Sequence, residues 1–186
     1  MTRIKHRFTD HKINPKTEIL VIGTFNPETK ANTADFFYGR QRNFLWVLIP
    51  AAFNEASLKG KPVDEKKEFI EKHKIGFVDL IVEVDVEAVA NYDDSYIDGK
   101  VTEWRDVIAE ISKLKNLKRV CFTRRSFGGI PNMKTKIEAV RHYCEKKKIP
   151  FQALTTPARF YSQAKQTEWT GFFKEGNSHL AELLSS

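Results

Sequence analysis

The loop that begins at Phe25 combines residue types that could act on a ligand. Asn26 and Pro27 follow the hydrophobic run ILVIG, separated from it by Thr24 and Phe25. A carboxamide does not take up a proton at neutral pH, but its oxygen accepts a hydrogen bond from water and its NH₂ group donates one. Asn26 could therefore hold a water molecule in place. Asn-Pro is also a common turn dipeptide, so an ordinary turn is the alternative.

The continuation of this loop, residues 35–46, reads DFFYGRQRNFLW. It brings three consecutive aromatic residues, two arginines and a second asparagine, Asn43, to the start of an apolar helix. Trp46 fits the buried face of that helix. Consecutive side chains cannot all point the same way, so either Phe36 or Phe37 is placed to stack on a ligand.

A second loop, TRRSFGGIPN, precedes a helix that we expect to begin near Pro131. Free N–H groups at a helix N-terminus attract anions, and Arg124 and Arg125, followed by Ser126, could add contacts to phosphate. The loop lacks the GxxxxGK(S/T) spacing of a P-loop, and the chain has no GxGxxG motif, which disfavours nucleotide triphosphate and dinucleotide enzymes. A flexible glycine loop without a ligand is the alternative.

A third loop, LTTPARFYSQAK, follows a short apolar run. Thr155, Thr156 and Pro157 come first, and Arg159 and Phe160 follow. Basic and aromatic residues that alternate on a loop suit nucleic acid, because arginine binds phosphate and an aromatic tip can stack on bases or wedge between them. Packing of the phenylalanine into the core is the alternative.

The elements that must position these loops alternate between strands and helices. Three nearly continuous apolar runs indicate strands buried on both faces, namely Glu18 to Thr24, Lys118 to Thr123 and Phe151 to Thr155. Helices are predicted after Thr102, after Pro131 and over Asp64 to Lys74, the last leading to a strand or turn at Ile75 to Val82. We therefore expect one domain over residues 1–186, an α/β fold: a three-layer α/β/α sandwich with a central, mainly parallel sheet of about four strands. Ligands bind beyond the carboxyl ends of such strands, where the three loops lie.

The charge is distributed unevenly along the chain. Residues 113–174 carry 15 basic and 3 acidic residues, whereas residues 63–112 carry 6 and 14, within a formal net charge of +7. Concentrated positive charge suits a phosphate backbone, although a solvated basic surface is the alternative. The longest apolar run is too short to span a bilayer, and two cysteines are too few for structural zinc. We expect a cytoplasmic protein with reduced thiols, no membrane association and no cofactor or metal.

Several of these segments, in this order, resemble motifs of the uracil-DNA glycosylase superfamily, especially its mismatch-specific and hypoxanthine-DNA glycosylase branches. GTFNPE is similar to the motif that ends the first strand there, and FYGRQRNFLW is similar to the segment that follows it. IGFVDLI resembles a Gly-hydrophobic-x-Asp segment, and ALTTPA resembles the second motif, which precedes a loop that wedges into DNA. The resemblance covers roughly residues 18–169. Thr123 stands where members often carry a base-reading asparagine, so base specificity does not carry over.

The resemblance implies a monofunctional DNA glycosylase, which hydrolyses the N-glycosidic bond of a damaged base. The implied catalytic residues are Asn26 and Asn43. Apart from the resemblance, an aspartate would activate water more strongly than an asparagine, so Asp35 and Asp79 are outside candidates. The residues expected to bind the base are Gly23, Thr24, Phe25, Pro27, Phe37 and Thr123. Those expected to bind DNA are Arg124, Arg125, Ser126, Thr155, Thr156, Pro157, Arg159 and Phe160.

The expected function is removal of a deaminated base, uracil or hypoxanthine, in base-excision repair, by a monomer whose partner is DNA with a damaged or mismatched base. GTFNPE has one residue more between its glycine and asparagine than the Gly-x-Asn-Pro form of the family motif, and the second motif lacks the histidine of many members. A nucleic-acid-binding module that keeps the fold without catalysis is therefore the alternative. A hydrolase of free nucleotides or nucleosides is disfavoured, because so concentrated a basic region exceeds what a small substrate needs.

Overall fold

A computed structural model describes residues 2–87 and 91–174. In chain order its strands are β1 (Thr2–Lys5), β2 (Ile19–Gly23), β3 (Ile75–Asp79), β4 (Ile81–Val86), β5 (Val101–Trp104), β6 (Arg119–Phe122) and β7 (Phe151–Ala153). Its α-helices are α1 (Leu45–Ala52), α2 (Val63–Lys72), α3 (Asp94–Ile97), α4 (Val107–Lys113), α5 (Pro131–Lys146) and α6 (Gln163–Lys174), and a 3-10 turn spans Asp98–Lys100.

A four-stranded parallel sheet with the order β3-β2-β6-β7 forms the centre of the fold. Ile22 of β2 lies opposite Val78 on one side and Phe122 on the other, so β2 is an inner strand. All five residues of β2 are buried, as expected for a strand covered on both faces. Because the strands are parallel, their carboxyl ends meet at one edge of the sheet. The predicted parallel sheet is confirmed.

Successive residues of β2 face two separate apolar cores. Leu20 and Ile22 pack on the side of α4 and α5, whereas Ile19 and Val21 pack on the side of α1, α2 and α6. The helices thus flank the sheet on both faces, which confirms the three-layer arrangement. Within the described residues, no helix is both long enough and apolar enough to cross a bilayer.

A second, antiparallel sheet of three strands, in the order β1-β4-β5, was not predicted. The segment after Thr102, predicted as the start of a helix, is instead strand β5, whose Trp104 pairs with Ile81. The helix begins later, at Val107, because Asp106 caps it: the Asp106 Oδ1 atom accepts a hydrogen bond from the Ala109 N–H at 2.9 Å. The predicted helix is thus present over Val107–Lys113, but the residues before it are extended.

The two sheets are joined through Leu80, the single residue between β3 and β4. β1 pairs with β4, with Lys5 opposite Glu83, and the His6 N–H donates to the Val82 carbonyl at 2.7 Å. Because of this pairing, His6, the residue after β1, lies at the carboxyl end of β3. The N-terminal strand therefore contributes directly to the edge of the central sheet where the strands end.

Candidate active site

An open cleft of about 910 Å³ lies beyond the carboxyl ends of the parallel strands. Thr24 follows β2, Asp79 ends β3, Thr123 follows β6 and Thr155 follows shortly after β7, and all four line the cleft. From β2 the chain goes first to β3 on one side and later to β6 on the other side. Such a reversal of strand order leaves a crevice, and this is where open α/β sheets bind ligands.

Most of the residues predicted from the sequence line this cleft. They are Thr24, Phe25, Asn26, Asn43, Thr123, Arg124, Arg125, Ser126, Thr155, Thr156, Pro157 and Arg159. The cleft is also lined by residues that the sequence does not predict, including Tyr38, Arg40, Arg42 and residues 92–95. Gly23, Pro27, Phe37 and Phe160 were selected but are not among the lining residues.

Gly23 makes room for the polar floor of the cleft. A Cβ atom at this position would lie 2.5 Å from Tyr38 Oη and closer still to Asp79 Oδ1. Both oxygens therefore lie close to the backbone of Gly23 at the end of β2. A residue with a side chain would displace them, so the glycine is required for close approach. Gly23 shapes the floor without lining it.

Asp79 places a buried carboxylate in this floor. Its Oδ2 atom lies 2.7 Å from His6 Nε2, and the two side chains are 8% and 1% exposed. His6 Nδ1 accepts a hydrogen bond from the Phe8 N–H at 3.0 Å, so the proton of the neutral ring is on Nε2 and is donated to Asp79. Among the described residues no hydrogen bond to Oδ1 is found, and Asp79 lines the cleft.

Tyr38 adds a hydroxyl group to the floor. Its Oη atom lies 3.4 Å from Thr123 Oγ1. Burial, reinforced by the charge of Asp79, raises the pKa of Tyr38 well above its usual value, so the hydroxyl keeps its proton and can donate to a ligand. The backbone of Tyr38 has a φ of 57°, in the left-handed region that is uncommon for a residue with a side chain.

Phe37 does not reach the cleft, contrary to the prediction that it binds a base. It is 3% exposed, and its ring stacks on Phe77 with 5.7 Å between centroids. The consecutive aromatic residues do point in different directions, but it is Tyr38 that turns to the cleft. Phe25 does line the cleft, where its ring lies 6.3 Å from that of Tyr92.

Asn26 is 7% exposed and held in one orientation. Its Oδ1 atom accepts a hydrogen bond from Asn32 Nδ2, which also donates to the Pro27 carbonyl at 2.7 Å. The Arg7 N–H donates to the Asn26 carbonyl at 2.7 Å and fixes the backbone. Pro27 therefore takes part in the loop through its carbonyl and does not line the cleft. The carboxamide oxygen of Asn26 has one acceptor position left, and its NH₂ group has no partner among the described residues.

Asn43 also lines the cleft, two residues before α1. Its Oδ1 atom accepts a hydrogen bond from the Leu45 N–H at 2.9 Å, which satisfies one of the free N–H groups of the helix. This explains locally why a helix begins here. The carboxamide of Asn43 is thus oriented by the helix, and its NH₂ group lies without a partner within the described part of the chain.

The N-terminus of α5, after the loop that follows β6, is not free to bind an anion, contrary to the expectation from the sequence. The N–H groups of Asn132 and Met133, in the first turn of α5, donate to the Asp98 carboxylate at 3.0 and 2.7 Å. Asp98 is 4% exposed, so a protein carboxylate already occupies the helix N-terminus. Arg124 Nη1 also contacts a carboxylate, Asp94 Oδ2, at 2.5 Å. Arg125 Nη2 lies 2.9 Å from the carboxylate of Glu168, but the arginine side chain is 60% exposed.

The loop after β7 is joined to the segment that precedes α1. The Phe44 N–H donates to the Pro157 carbonyl at 2.9 Å, and the Arg159 N–H donates to the Arg42 carbonyl at 2.8 Å. These bonds bring Arg42 and Arg159 together at the rim of the cleft. Phe160, predicted to bind DNA, lies beyond the rim and is 59% exposed, so it does not pack into the core.

Asp35, an outside candidate for catalysis, is not part of the site. Its carboxylate accepts hydrogen bonds from Lys66 Nζ at 2.8 and 3.0 Å and does not line the cleft. Within residues 2–87 and 91–174, no group of three or more histidine, cysteine, aspartate or glutamate side chains is arranged to hold a metal ion. The polar groups that line the cleft are amides, hydroxyls, carboxylates and guanidinium groups.

No protein-family model and no curated protein matches the chain. Among solved structures, the chain resembles the solution NMR structure of a protein from Methanosarcina acetivorans that is provisionally described as a uracil DNA glycosylase. The TM-score is 0.61 with 19% sequence identity, over 88% of this chain and 92% of that chain. A likeness at this level of identity shows that the two chains share a fold.

Proposed function

We propose that the protein is a DNA glycosylase. The observation that carries the proposal is the buried carboxylate of Asp79, oriented by His6 on the floor of a cleft that also contains Asn26 and Asn43. Cleavage of an N-glycosidic bond in DNA requires a held water molecule, a pocket for an extruded base and cations for the backbone phosphates. The cleft has groups of each kind. The shared fold with the M. acetivorans protein supports the same conclusion.

In the proposed reaction the bond between C1′ and the base nitrogen breaks, and its electron pair leaves with the base. Asp79 Oδ1 accepts a hydrogen bond from water, whose oxygen adds to the cationic C1′ while its proton passes to the carboxylate. The NH₂ groups of Asn26 and Asn43 orient the nucleotide. The hydroxyl groups of Tyr38 and Thr123 donate to the departing base anion. No lysine is among the described lining residues, so the product is an abasic site in an intact strand.

The proposed substrate is a deaminated base, uracil or hypoxanthine, in DNA. The volume of about 910 Å³ is in the range of pockets that take small organic ligands and accommodates an extruded nucleotide. Arg42, Arg124, Arg125 and Arg159 surround it and suit phosphates on either side of that nucleotide. The Phe25 ring lies at the wall, where it can stack on the base.

The test is a base-release assay on labelled oligonucleotides with uracil, hypoxanthine or xanthine, both single-stranded and in duplexes. Alkali-sensitive strand breaks report abasic sites. We expect breaks with the wild-type protein and a loss of about 10²- to 10⁴-fold in rate with Asp79→Asn. Asn26→Ala and Asn43→Ala should also lower the rate while DNA affinity is retained. Asp10→Asn, an exposed carboxylate outside the cleft, is the matched control.

A second candidate is a nucleic-acid-binding module without catalysis. The observation that favours it is that the carboxamide oxygens of Asn26 and Asn43 each already accept a protein hydrogen bond. The same assay separates the two candidates. Absence of breaks on every substrate, together with binding that weakens steeply with salt, would favour the module, whereas breaks that disappear with Asp79→Asn establish the enzyme.

A further inference from the structure

Residues 158–160 form a strained turn at the rim of the cleft. The Phe160 N–H donates to the Ala158 carbonyl at 3.1 Å, and Arg159, between them, has a φ of 78°. This is a γ-turn of the positive-φ type, which is rare and is unfavourable for a residue with a side chain. A strained turn of this kind persists only where the surrounding structure holds it.

Lys165, in the first turn of α6, binds the carbonyls on both sides of this turn. Its ammonium group donates to the Ala158 carbonyl at 3.0 Å and to the Phe160 carbonyl at 2.8 Å. Lys165 is 4% exposed, which is unusual for a lysine, and burial lowers its pKa from the usual value. A desolvated ammonium group that bridges two carbonyls fixes the separation of the residues on each side of the turn.

The turn displays aromatic side chains next to the basic cleft. Phe160 is 59% exposed and Tyr161 is 43% exposed, and these are the exposed large apolar side chains of the described residues. The ammonium group of Lys165 lies 4.0 Å from the centre of the Phe160 ring, so the same lysine also orients that ring. An exposed aromatic ring beside a row of arginines suits insertion between stacked bases.

We propose that Lys165 is a positioning residue for base extrusion, which holds the turn of residues 158–160 so that Phe160 enters the base stack of duplex DNA as a base leaves it. The inference rests on the proposed function and adds to it. A single strand presents its bases without a paired stack, so it does not need this wedge. Loss of Lys165 therefore impairs action on duplex DNA and spares action on single strands.

The experiment uses oligonucleotides in which 2-aminopurine lies beside a uracil, as a duplex and as a single strand. Fluorescence of 2-aminopurine rises when its neighbour unstacks, and base release is measured in the same samples. The variants are Lys165→Met and Phe160→Ala, with Lys61→Met, an exposed lysine outside the cleft, as the matched control. Lys165→Gln, which keeps an N–H donor, replaces Lys165→Met if that variant does not fold. For each variant, an unchanged affinity for the single strand shows that the protein is correctly folded.

We expect the wild type and Lys61→Met to raise the duplex fluorescence, and Lys165→Met and Phe160→Ala to lose most of that rise. Base release from duplexes should fall by roughly tenfold to a hundredfold with Lys165→Met, with single-strand release unchanged. A full fluorescence rise with Lys165→Met, an equal loss on both substrates, or no rise with the wild type overturns the inference. Unstacking by the wild type that is lost in Lys165→Met, without any base release, supports the inference and contradicts only the proposed catalysis.

Discussion

Asp79 Oδ2 lies 2.7 Å from His6 Nε2, although the two residues are 73 positions apart in the chain. The contact depends on the second sheet, because β1 pairs with β4 and β4 directly continues β3 through Leu80. The N-terminal strand therefore orients the carboxylate that we propose to be catalytic. Because the His6 ring donates its hydrogen bond to Oδ2 of Asp79, Oδ1 is the oxygen that we propose to bind water.

Replacement of His6 by phenylalanine should lower kcat more than it changes KM. The ring shape is kept, but Asp79 loses its donor, and a buried acceptor without a partner costs about 1–3 kcal/mol in the free energy of unfolding. We expect kcat to fall by roughly tenfold to a hundredfold, because the hydrogen bond from His6 orients the Asp79 carboxylate. His6→Gln, which can still donate, should recover part of the rate. His142→Phe, at an exposed position of α5, is the control, and an unchanged kcat in His6→Phe would contradict the role of His6.

Gly23→Ala should abolish base release and destabilise the protein. A Cβ atom there would lie 2.5 Å from Tyr38 Oη and closer still to Asp79 Oδ1, so the polar floor must move. Overpacking of this kind costs about 1–3 kcal/mol in the free energy of unfolding, measurable by urea denaturation. Gly99→Ala is the matched control, because a Cβ atom at Gly99 meets nothing within 4 Å. Full activity in Gly23→Ala would show that the floor is not the reaction site.

The central sheet could be predicted from the sequence because its strands are short and continuously apolar. β2, with all five residues buried, shows that pattern most clearly. The antiparallel sheet could not, because β1 has only one buried residue and β5 has none. Such strands are defined by their partner, β4, rather than by their own residues. For the same reason the sequence predicts a helix after Thr102, because the apolar side chain of Trp104 also fits helical spacing.

The residues of the site also fall into those that the sequence predicts and those that only the tertiary structure reveals. Loops after parallel strands could be located from the strand pattern, and residues such as Asn26 and Thr123 were found through them. His6 and Tyr38 reach the floor through long-range packing that no local motif encodes. The helix N-terminus near Pro131 gave a valid local signal for an anion, but the anion is Asp98 of the same chain. Only the tertiary structure identifies that partner.

Asp94→Asn should strengthen DNA binding. Asp94 Oδ2 lies 2.5 Å from Arg124 Nη1, inside the cleft, so the carboxylate competes with phosphate for this arginine. Its removal frees one cation, and we expect several-fold tighter binding at low salt. The plot of log affinity against log salt should steepen by about one unit, as for one more phosphate contact.

The matched test of this competition is the double variant. In an Arg124→Ala background, Asp94→Asn should change neither the affinity nor the salt slope, because the arginine that it frees is absent. Fluorescence anisotropy with a labelled duplex measures both quantities. An equal gain in affinity in both backgrounds would show that Asp94 acts by general repulsion of DNA and not through Arg124.

Glu18 links the amino ends of three central strands and should make stability depend on pH. Its carboxylate lies 2.6 Å from Lys118 Nζ and 2.6 Å from Lys74 Nζ, and these three residues immediately precede β2, β6 and β3. Hydrogen bonds from Lys118 and then Lys74 hold the pKa of Glu18 below its usual value of 4.5. Because the folded pKa is the lower one, the stabilisation is fully present above the unfolded pKa and is lost as the pH falls through the folded pKa.

Glu18→Gln should therefore lower the free energy of unfolding at pH 7 by about 0.5–1 kcal/mol, a modest value because the two lysines are largely exposed. The melting temperature should fall by roughly 1–4 °C. The difference from the wild type should shrink as the pH drops below about 4.5 and vanish in stronger acid, as measured by urea denaturation over a pH series. Glu138→Gln, whose pair with Lys134 is longer at 3.8 Å and half exposed, is the control. Base release should not change, because Glu18 lies at the edge of the sheet opposite the cleft. A difference in the free energy of unfolding that persists in strong acid would show that Glu18 stabilises the fold by packing and not by charge.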